Sequence, residues 1–237
     1  MNYVYNKNLA NCTPSKIREF NSLASKLNAK FKLTLGEPDF DTPIEIKDAL
    51  IEAVNQNHTR YAPTVGNKNL REEICKFEKR VNKVSYEPDE VLITTGSTEA
   101  LTAALFTLLN QDDEVIVPIP CYALYEPVIS YCGAKMIPLD TRPDFQISKG
   151  HLEALINNKT KAILLTSPNN PTGTIYDDKT LENIYNIVKD TNILVICDNC
   201  YDQLVYGKRR LGFSKYQDIK DQIIAVSYTH LRAHETK

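Results

Sequence analysis

Short runs of β-branched and other apolar residues alternate along the chain with stretches whose apolar residues recur at helical spacing. The runs predicted as strands are VLITT (91–95), EVIVP, KMIPL, KAILLT, ILVICD and IIAV, with helical stretches such as TEALTAALFTLL and TLENIYNIVKD between most of them. Several of these runs are apolar on both faces, as in strands buried between two layers of helices. The alternation predicts an α/β fold with a mainly parallel sheet.

Two further helices are predicted in the first third of the chain. In DTPIEIKDALIEAV, Thr42 is expected to cap the helix, Pro43 suits its first turn and Glu45 completes a capping box. A second helix is indicated by an apolar stripe at helical spacing, formed by Leu70, Ile74, Phe77 and Val81. No internal repeat and no low-complexity linker interrupts the sequence.

Composition narrows the class of protein. With 237 residues and 42% hydrophobic content the chain can bury a core, and its net charge of -2 has interspersed signs. Nucleic acid and anionic membranes are therefore poor candidates as partners, which leaves small-molecule substrates. The opening segment lacks the apolar core of a signal peptide, and no run is long enough to span a bilayer, so we expect a cytoplasmic protein.

The six cysteines are scattered, and several lie inside apolar runs, which favours reduced, packed thiols over a disulfide framework. Cys197 and Cys200 alone have a motif spacing. Because there is no second ligand pair in the sequence, coincidence is a better interpretation of that spacing than zinc binding or redox chemistry.

Polar clusters follow three of the predicted strands. They are TTGST after VLITT, TSPNNPTG after KAILL and DNCYDQLVY after ILVI. Ligands of parallel sheets bind outside the carboxyl ends of the strands, so the three clusters are expected to converge on one rim.

Each cluster has a functional and an ordinary interpretation. Ser97 and Thr98 lie between a strand and a helix, which suits a phosphate site but equally suits an ordinary helix cap. Asp198 ends an apolar strand, so its carboxylate would be partly desolvated and would seek a cationic partner such as a pyridinium nitrogen, or it would cap the next loop. SPNNPTG is either a rigid turn that holds an amide over the rim or simply a turn.

Taken together, these segments resemble the class I/II aminotransferases, the fold-type I enzymes that use pyridoxal 5′-phosphate. The resemblance rests on six segments in the family's order: LGEPDFDTP, YAPTVGNKNLREEI, TTGSTEAL, DDEVIVPIPCYALYEP, SPNNPTG and DNCYDQLVY. It implies that residues 36–225 form most of a large cofactor-binding domain, with a mainly parallel sheet and helices on both faces. Residues 1–35 would belong to the small domain.

The resemblance also implies roles for residues that would hold the cofactor. Ser97 and Thr98 would bind its phosphate, and Tyr122 would stack on its pyridine ring. Asn170 would hydrogen-bond the phenolic oxygen of the ring.

Four further roles follow from the same resemblance. Tyr201 would also hydrogen-bond the phenolic oxygen, and Asp198 would pair with the protonated ring nitrogen, which keeps the ring an electron sink. Gly36 would approach the substrate carboxylate, and Tyr61 would reach the cofactor phosphate of a partner subunit in a homodimer. One departure is mild, since Asn199 stands where the family usually has Glu.

A second departure concerns the catalytic lysine. Family members follow the strand corresponding to IIAV with a Ser-rich turn, the Schiff-base lysine and then a phosphate-binding arginine. Aligning VSYTH on that turn places His230 at the lysine position, and imidazole has no primary amine. The stretch 226–236 also matches the translation of a transposon-based sequencing adapter. We therefore expect residues 226–237 to be a non-native tail on a large domain that is incomplete at its C-terminus.

Other interpretations of the tail explain less of the sequence. His230 and His234 have the i, i+4 spacing of a metal pair but lack a third ligand and a motif Glu. An amphipathic partner helix is the other alternative, and neither explains the eleven-residue agreement with the adapter. The family's sheet contains an antiparallel strand after the lysine segment, so one slot between existing strands is expected to be empty.

The resemblance implies an amino-acid aminotransferase that moves an amino group between an amino acid and a 2-oxo acid, with this chain inactive as written. Within the family, a β-eliminating lyase or a cyclopropane-forming synthase is the alternative. From another class, the alternative is a non-catalytic aminotransferase-like module. A regulator of that type would carry a helix-turn-helix domain ahead of LGEPDF, and we expect the 34 preceding residues to be too few for one.

Overall fold

The computed structural model describes residues 7–9, 16–27, 31, 36, 41–207 and 210–228. The helices are α1 (Lys16–Lys26), α2 (Ile44–Asn55), α3 (Lys68–Val81), α4 (Ser97–Leu108), α5 (Tyr125–Tyr131), α6 (Lys149–Leu155) and α7 (Asp178–Val188). The strands are β1 (Glu114–Ile119), β2 (Lys135–Asp140), β3 (Thr160–Thr166), β4 (Leu194–Asp198) and β5 (Ile223–Val226).

The five strands form one sheet in the order β2-β1-β3-β4-β5, and all four pairings are parallel. The prediction of an α/β fold with a mainly parallel sheet is therefore confirmed. The register places Thr166 beside Asp198, and Asp198 beside Val226, so the carboxyl ends of β3, β4 and β5 lie at one edge.

Two hydrophobic cores cover the two faces of this sheet. Ile163 and Val195 belong to the core that contains α6 and α7, whereas the adjacent Leu164 and Ile196 belong to the core that contains α4 and α5. Successive side chains of a strand point to opposite faces, which explains why residues 162–165 of β3 and 194–197 of β4 are apolar at consecutive positions. The prediction of helices on both faces is also confirmed.

The prediction that VLITT (91–95) forms a strand of the sheet is wrong. Val91 has extended backbone angles (φ -111°, ψ 124°), and the Ile93 N–H donates to Val65 O at 3.2 Å. However, residues 91–95 join no ladder among the described residues. Apolar β-branched residues favour an extended chain, but a strand also needs a neighbour, which the local pattern does not specify. The expected empty slot in the sheet stays a prediction.

The start of α2 also differs from the prediction. Pro43 rather than Thr42 is the N-cap residue, and no side chain caps the helix, so the capping box with Glu45 is absent there. The Pro43 carbonyl accepts the N–H groups of Ile46 and Lys47, which moves the helix start one residue along the chain. By contrast, α3 spans the predicted apolar stripe.

The domain boundaries at residues 35 and 225 stay predictions. Of the expected tail, the structure describes 226–228, and Val226 is the last residue of β5. His230 and His234 lie outside the described residues. No helix in the described part of the chain has the length and apolar character needed to cross a membrane.

Candidate active site

Asp198 is a buried carboxylate at the rim of the sheet. It ends β4, whose last four residues are buried, and it is only 5% exposed. Its Oδ2 accepts a hydrogen bond from the Tyr125 hydroxyl at 2.6 Å, and its Oδ1 accepts one from the Cys200 backbone N–H at 3.2 Å. The Cys200 thiol is a third hydrogen-bond partner of this carboxylate. A carboxylate offers about four acceptor positions, so about one remains for another donor.

None of the ion pairs found among the described residues includes Asp198. A buried carboxylate without a cation is unfavourable unless a further donor or a positive charge reaches it. The remaining acceptor position of Asp198 therefore suits a cationic N–H group of a ligand.

Tyr125, which the sequence interpretation missed, is the main side-chain partner of Asp198. Its hydroxyl also lies 2.6 Å from Thr166 Oγ1, and its side chain is 2% exposed. Burial raises the pKa of Tyr125 above its ordinary range, and the negative charge of Asp198 acts in the same direction. The phenol therefore keeps its proton and remains a donor.

Tyr122 presents an aromatic ring beside this group. It packs edge-on against Tyr125, with ring centroids 5.5 Å apart and planes at 80°. A small apolar cavity of about 10 Å³ is lined by both Tyr122 and Thr98, together with Leu101 and Tyr125. The structure thus brings the aromatic ring predicted to stack on a cofactor next to the start of α4.

The start of α4 has the features of an anion site. Gly96 is the N-cap residue at φ +81°, a conformation that favours glycine, and no side chain caps the helix. Ser97 and Thr98 lie inside the first turn, so the ordinary interpretation of either hydroxyl as the N-cap is wrong. Ser97 is buried and Thr98 is exposed. Backbone N–H groups of a first helical turn lack intrahelical partners and point along the positive end of the dipole.

Ser97 lies close to the Asp198 group. Burial raises the pKa of the Cys200 thiol, Asp198 raises it further, and a hydrogen bond with Ser97 opposes them. Burial likewise raises the pKa of Tyr228, which also shares a hydrogen bond with Ser97 and feels the charge of Asp198. The start of α4, Asp198 and Tyr228 therefore meet at one rim.

The SPNNPTG turn carries the next predicted contact. Asn169 Oδ1 accepts hydrogen bonds from the backbone N–H and the hydroxyl of Thr172 at 3.1 and 2.9 Å, which fixes the turn. Asn170 Nδ2 then donates to the Tyr201 hydroxyl at 3.3 Å. Burial raises the pKa of Tyr201, so its hydroxyl remains protonated at neutral pH. The turn thus places the Asn170 amide beside the phenol of Tyr201, which lies three residues after the end of β4.

Other predicted site residues are not part of this group. Tyr61 is fully exposed, and Gly36 is exposed with open space where a Cβ would stand.

The backbone N–H of Asn199 donates to Val226 O at 2.8 Å, which continues the pairing of β4 with β5 beyond Asp198. Cys197 is a free, buried thiol whose pKa is raised by burial to about 12.

Comparison with known proteins gives a consistent assignment. Residues 28–230 match the family model of aminotransferase class I and II, a match that extends into the first five residues of the adapter-like segment. The chain is 34% identical to the Bacillus subtilis protein named "Probable N-acetyl-LL-diaminopimelate aminotransferase" over 96% of its own length and 58% of that protein. It is 32% identical to the aspartate aminotransferase of Bacillus subtilis over 93% of its length and 58% of that protein.

The fold agrees with solved structures as well. The structure of aspartate aminotransferase from Thermus thermophilus with maleate matches 99% of this chain and 67% of its own, with a TM-score of 0.89 and 26% identity. The chain spans 55–58% of the length of three curated relatives that it matches at 34% identity.

Proposed function

The chain belongs to the aminotransferase class I and II family, and we propose that the whole protein transfers amino groups between an amino acid and a 2-oxo acid. Members of this family use pyridoxal 5′-phosphate. Relatives named as aspartate and N-acetyl-LL-diaminopimelate aminotransferases support an amino acid as the donor. The class of substrate is therefore an amino acid with its matching 2-oxo acid.

One observation carries this proposal. The Asp198 carboxylate is buried, is held by the Tyr125 hydroxyl and by the N–H and thiol of Cys200, and keeps about one acceptor position, without an ion pair to any described residue. The protonated ring nitrogen of pyridoxal 5′-phosphate supplies both the positive charge and the N–H donor that this site lacks. The residues present therefore fit the cofactor.

The surrounding residues have matching roles in the proposal. Pyridoxal 5′-phosphate supplies an electron sink that stabilises negative charge at the substrate's α-carbon. Asp198 holds the positive charge at the ring nitrogen, and Tyr122 covers the ring. Asn170 and Tyr201 donate toward the phenolic oxygen of the ring.

The phosphate and substrate contacts complete the proposed site. The N-terminal turn of α4, with Ser97 and Thr98, attracts the phosphate through its N–H groups and hydroxyls. Gly36 is proposed to approach the substrate carboxylate, since its lack of a side chain leaves room for a close contact.

We also propose that the chain as written does not catalyse amino-group transfer. After Val226 the sequence contains no lysine before Lys237, and the resemblance to the family places His230 at the lysine position. A primary amine is needed there both to bond covalently to the cofactor and to move a proton from the α-carbon. Of these two roles, the imidazole of His230 can serve only in proton transfer, since it has no primary amine to bond to the cofactor.

The test restores the amine. The His230→Lys variant and a His234→Lys control are incubated with pyridoxal 5′-phosphate, reduced with borohydride and mapped by mass spectrometry, and amino transfer to 2-oxoglutarate is assayed. We expect a reduced adduct at position 230 in the first variant, well above the labelling of surface lysines, and no adduct at position 234 in the control. An adduct on another lysine of the unmodified chain together with turnover would contradict the assignment of the lysine position.

We further propose that the whole protein is a homodimer. We also propose that it is located in the cytoplasm. Tyr61 is fully exposed in the single chain, as expected of a residue that reaches the partner's cofactor phosphate. Two-fold symmetry would then place active sites at the subunit interface. Sedimentation of the chain extended to the length of its relatives should show a dimer whose activity falls on Tyr61→Phe substitution, and a fully active monomer would contradict this.

A further inference from the structure

A chain of three side chains ends at the Asp198 carboxylate. The Tyr125 hydroxyl donates to Asp198 Oδ2 at 2.6 Å, and the same hydroxyl lies 2.6 Å from Thr166 Oγ1. A phenol has one proton, which is committed to the carboxylate. The Thr166 hydroxyl must therefore be the donor in its bond to Tyr125, so the order of donation is Thr166 to Tyr125 to Asp198.

The fold holds these three residues in fixed relative positions. Thr166 and Asp198 end adjacent strands and are partners in the parallel register, while Tyr125 opens α5 above them. All three are at most 5% exposed, so water has little access to replace either bond. Hydrogen bonds in such a chain strengthen one another in a low-dielectric interior.

Resting on the proposed function, we propose that Thr166 and Tyr125 are positioning residues that orient the Asp198 carboxylate toward the ring nitrogen of the cofactor. Thr166 fixes the direction of the Tyr125 proton, and Tyr125 fixes Oδ2 of Asp198. The Cys200 N–H occupies the other oxygen, and the Cys200 thiol is a further partner, so about one acceptor position of the carboxylate is left for the cofactor.

A purely structural role makes a different prediction. If the two hydroxyls only satisfied each other inside the core, their removal would lower the affinity of the site for every ligand by the same factor. If they act through Asp198, the loss depends on whether the ligand has a ring nitrogen to pair with that carboxylate. The two roles are therefore separated by a pair of ligands that differ in one ring atom.

The experiment measures binding by equilibrium dialysis of the full chain. The probes are pyridoxamine 5′-phosphate, which has no aldehyde to react with surface lysines, and its 1-deaza analogue, in which C–H replaces the ring nitrogen. The variants are Tyr125→Phe, Thr166→Val, Thr166→Ser and the double variant Tyr125→Phe/Thr166→Val. These substitutions remove or retain a hydroxyl with little change in volume.

For pyridoxamine 5′-phosphate we expect Tyr125→Phe to raise Kd about tenfold, the effect of one hydrogen bond to a charged group. Thr166→Val should raise Kd about threefold, Thr166→Ser should restore the wild-type value, and the double variant should match Tyr125→Phe alone. The 1-deaza analogue should bind every variant with a Kd within about twofold of that for the wild-type chain.

Three results would overturn the proposal. They are equal losses for both probes, additive effects in the double variant, and unchanged affinity for pyridoxamine 5′-phosphate in Tyr125→Phe. Failure of the wild-type chain to bind either probe would overturn the proposed function itself, and the positioning role would fall with it. Binding of pyridoxamine 5′-phosphate that is insensitive to Tyr125 would overturn the positioning role alone.

Discussion

Substitution of Gly66 by alanine is expected to destabilise the chain much more than the same change at Gly207. Gly66 has φ +95°, and an added Cβ would stand 2.3 Å from Ile93 Cγ1 and 2.5 Å from Ile93 Cβ. Gly207 has nearly the same backbone angle, φ +94°, but an added Cβ there would meet nothing within 4 Å. The pair therefore separates backbone strain from steric overlap.

The expected magnitudes follow from these two contributions. A positive φ at alanine costs about 1–2 kcal/mol, and this is the whole cost at Gly207. Forcing a methyl group into a packed neighbour adds about 1–3 kcal/mol, so Gly66→Ala should lower the free energy of unfolding by about 2–5 kcal/mol. The added methyl group would overlap the Cβ of Ile93. This atom cannot move unless the backbone of residues 91–95, which lead to Gly96, moves with it.

The assay is urea unfolding followed by far-ultraviolet circular dichroism, with both variants compared with the wild-type chain. Equal losses of stability in the two variants would refute the reasoning, because they would mean that the close approach of Gly66 to Ile93 does not exist. Such a result would also undermine the contact that holds the loop containing Tyr61 against the segment before α4.

Three other predictions follow from burial and charge. Leu105→Ala should cost about 2–5 kcal/mol because Leu105 is fully buried, whereas Leu92→Ala, at a 56% exposed side chain, should change stability by less than about 1 kcal/mol in the same urea assay. The Arg142 side chain lowers the pKa of Asp140 to about 2, so the pair's contribution to stability is present above the ordinary aspartate pKa of about 3.9 and is lost as pH falls toward 2. An NMR titration should find that Arg142→Gln raises this pKa toward its ordinary value. Because burial raises the pKa of Cys197 to about 12, its thiol should resist alkylation at pH 8 until urea unfolds the chain, and rapid labelling of the native protein would contradict that.

The sequence predicts much of the fold because the sheet is buried on both faces. The consecutive apolar residues 162–165 of β3 and 194–197 of β4 are a strong signal for parallel strands, and the structure confirms them. The segment 91–95 has the same composition but no ladder partner among the described residues, since pairing is a tertiary property. Similarly, Thr42 suits a helix cap locally, yet the hydrogen bonds to the Pro43 carbonyl decide where α2 begins.

The candidate site is predictable to the extent that it lies at strand ends. Asp198 and the pair Asn170 and Tyr201 follow strands directly, so the topology alone brings them to one rim. Tyr125 and Thr166 are separated by 41 residues in sequence and meet only through packing. No local pattern distinguishes a tyrosine that hydrogen-bonds a buried carboxylate from one that fills a core.

The central claim is that the buried Asp198 carboxylate pairs with the ring of pyridoxal 5′-phosphate. The most direct measurement is the Kd of pyridoxamine 5′-phosphate for the wild-type chain, for Asp198→Asn and for Asp140→Asn, an exposed strand-end aspartate at β2 that serves as the matched control. The account predicts that Asp198→Asn raises Kd at least about tenfold, because a charge-assisted hydrogen bond is lost, while Asp140→Asn leaves Kd unchanged. Equal affinities in all three proteins, or a loss of the same size in both variants, would contradict it.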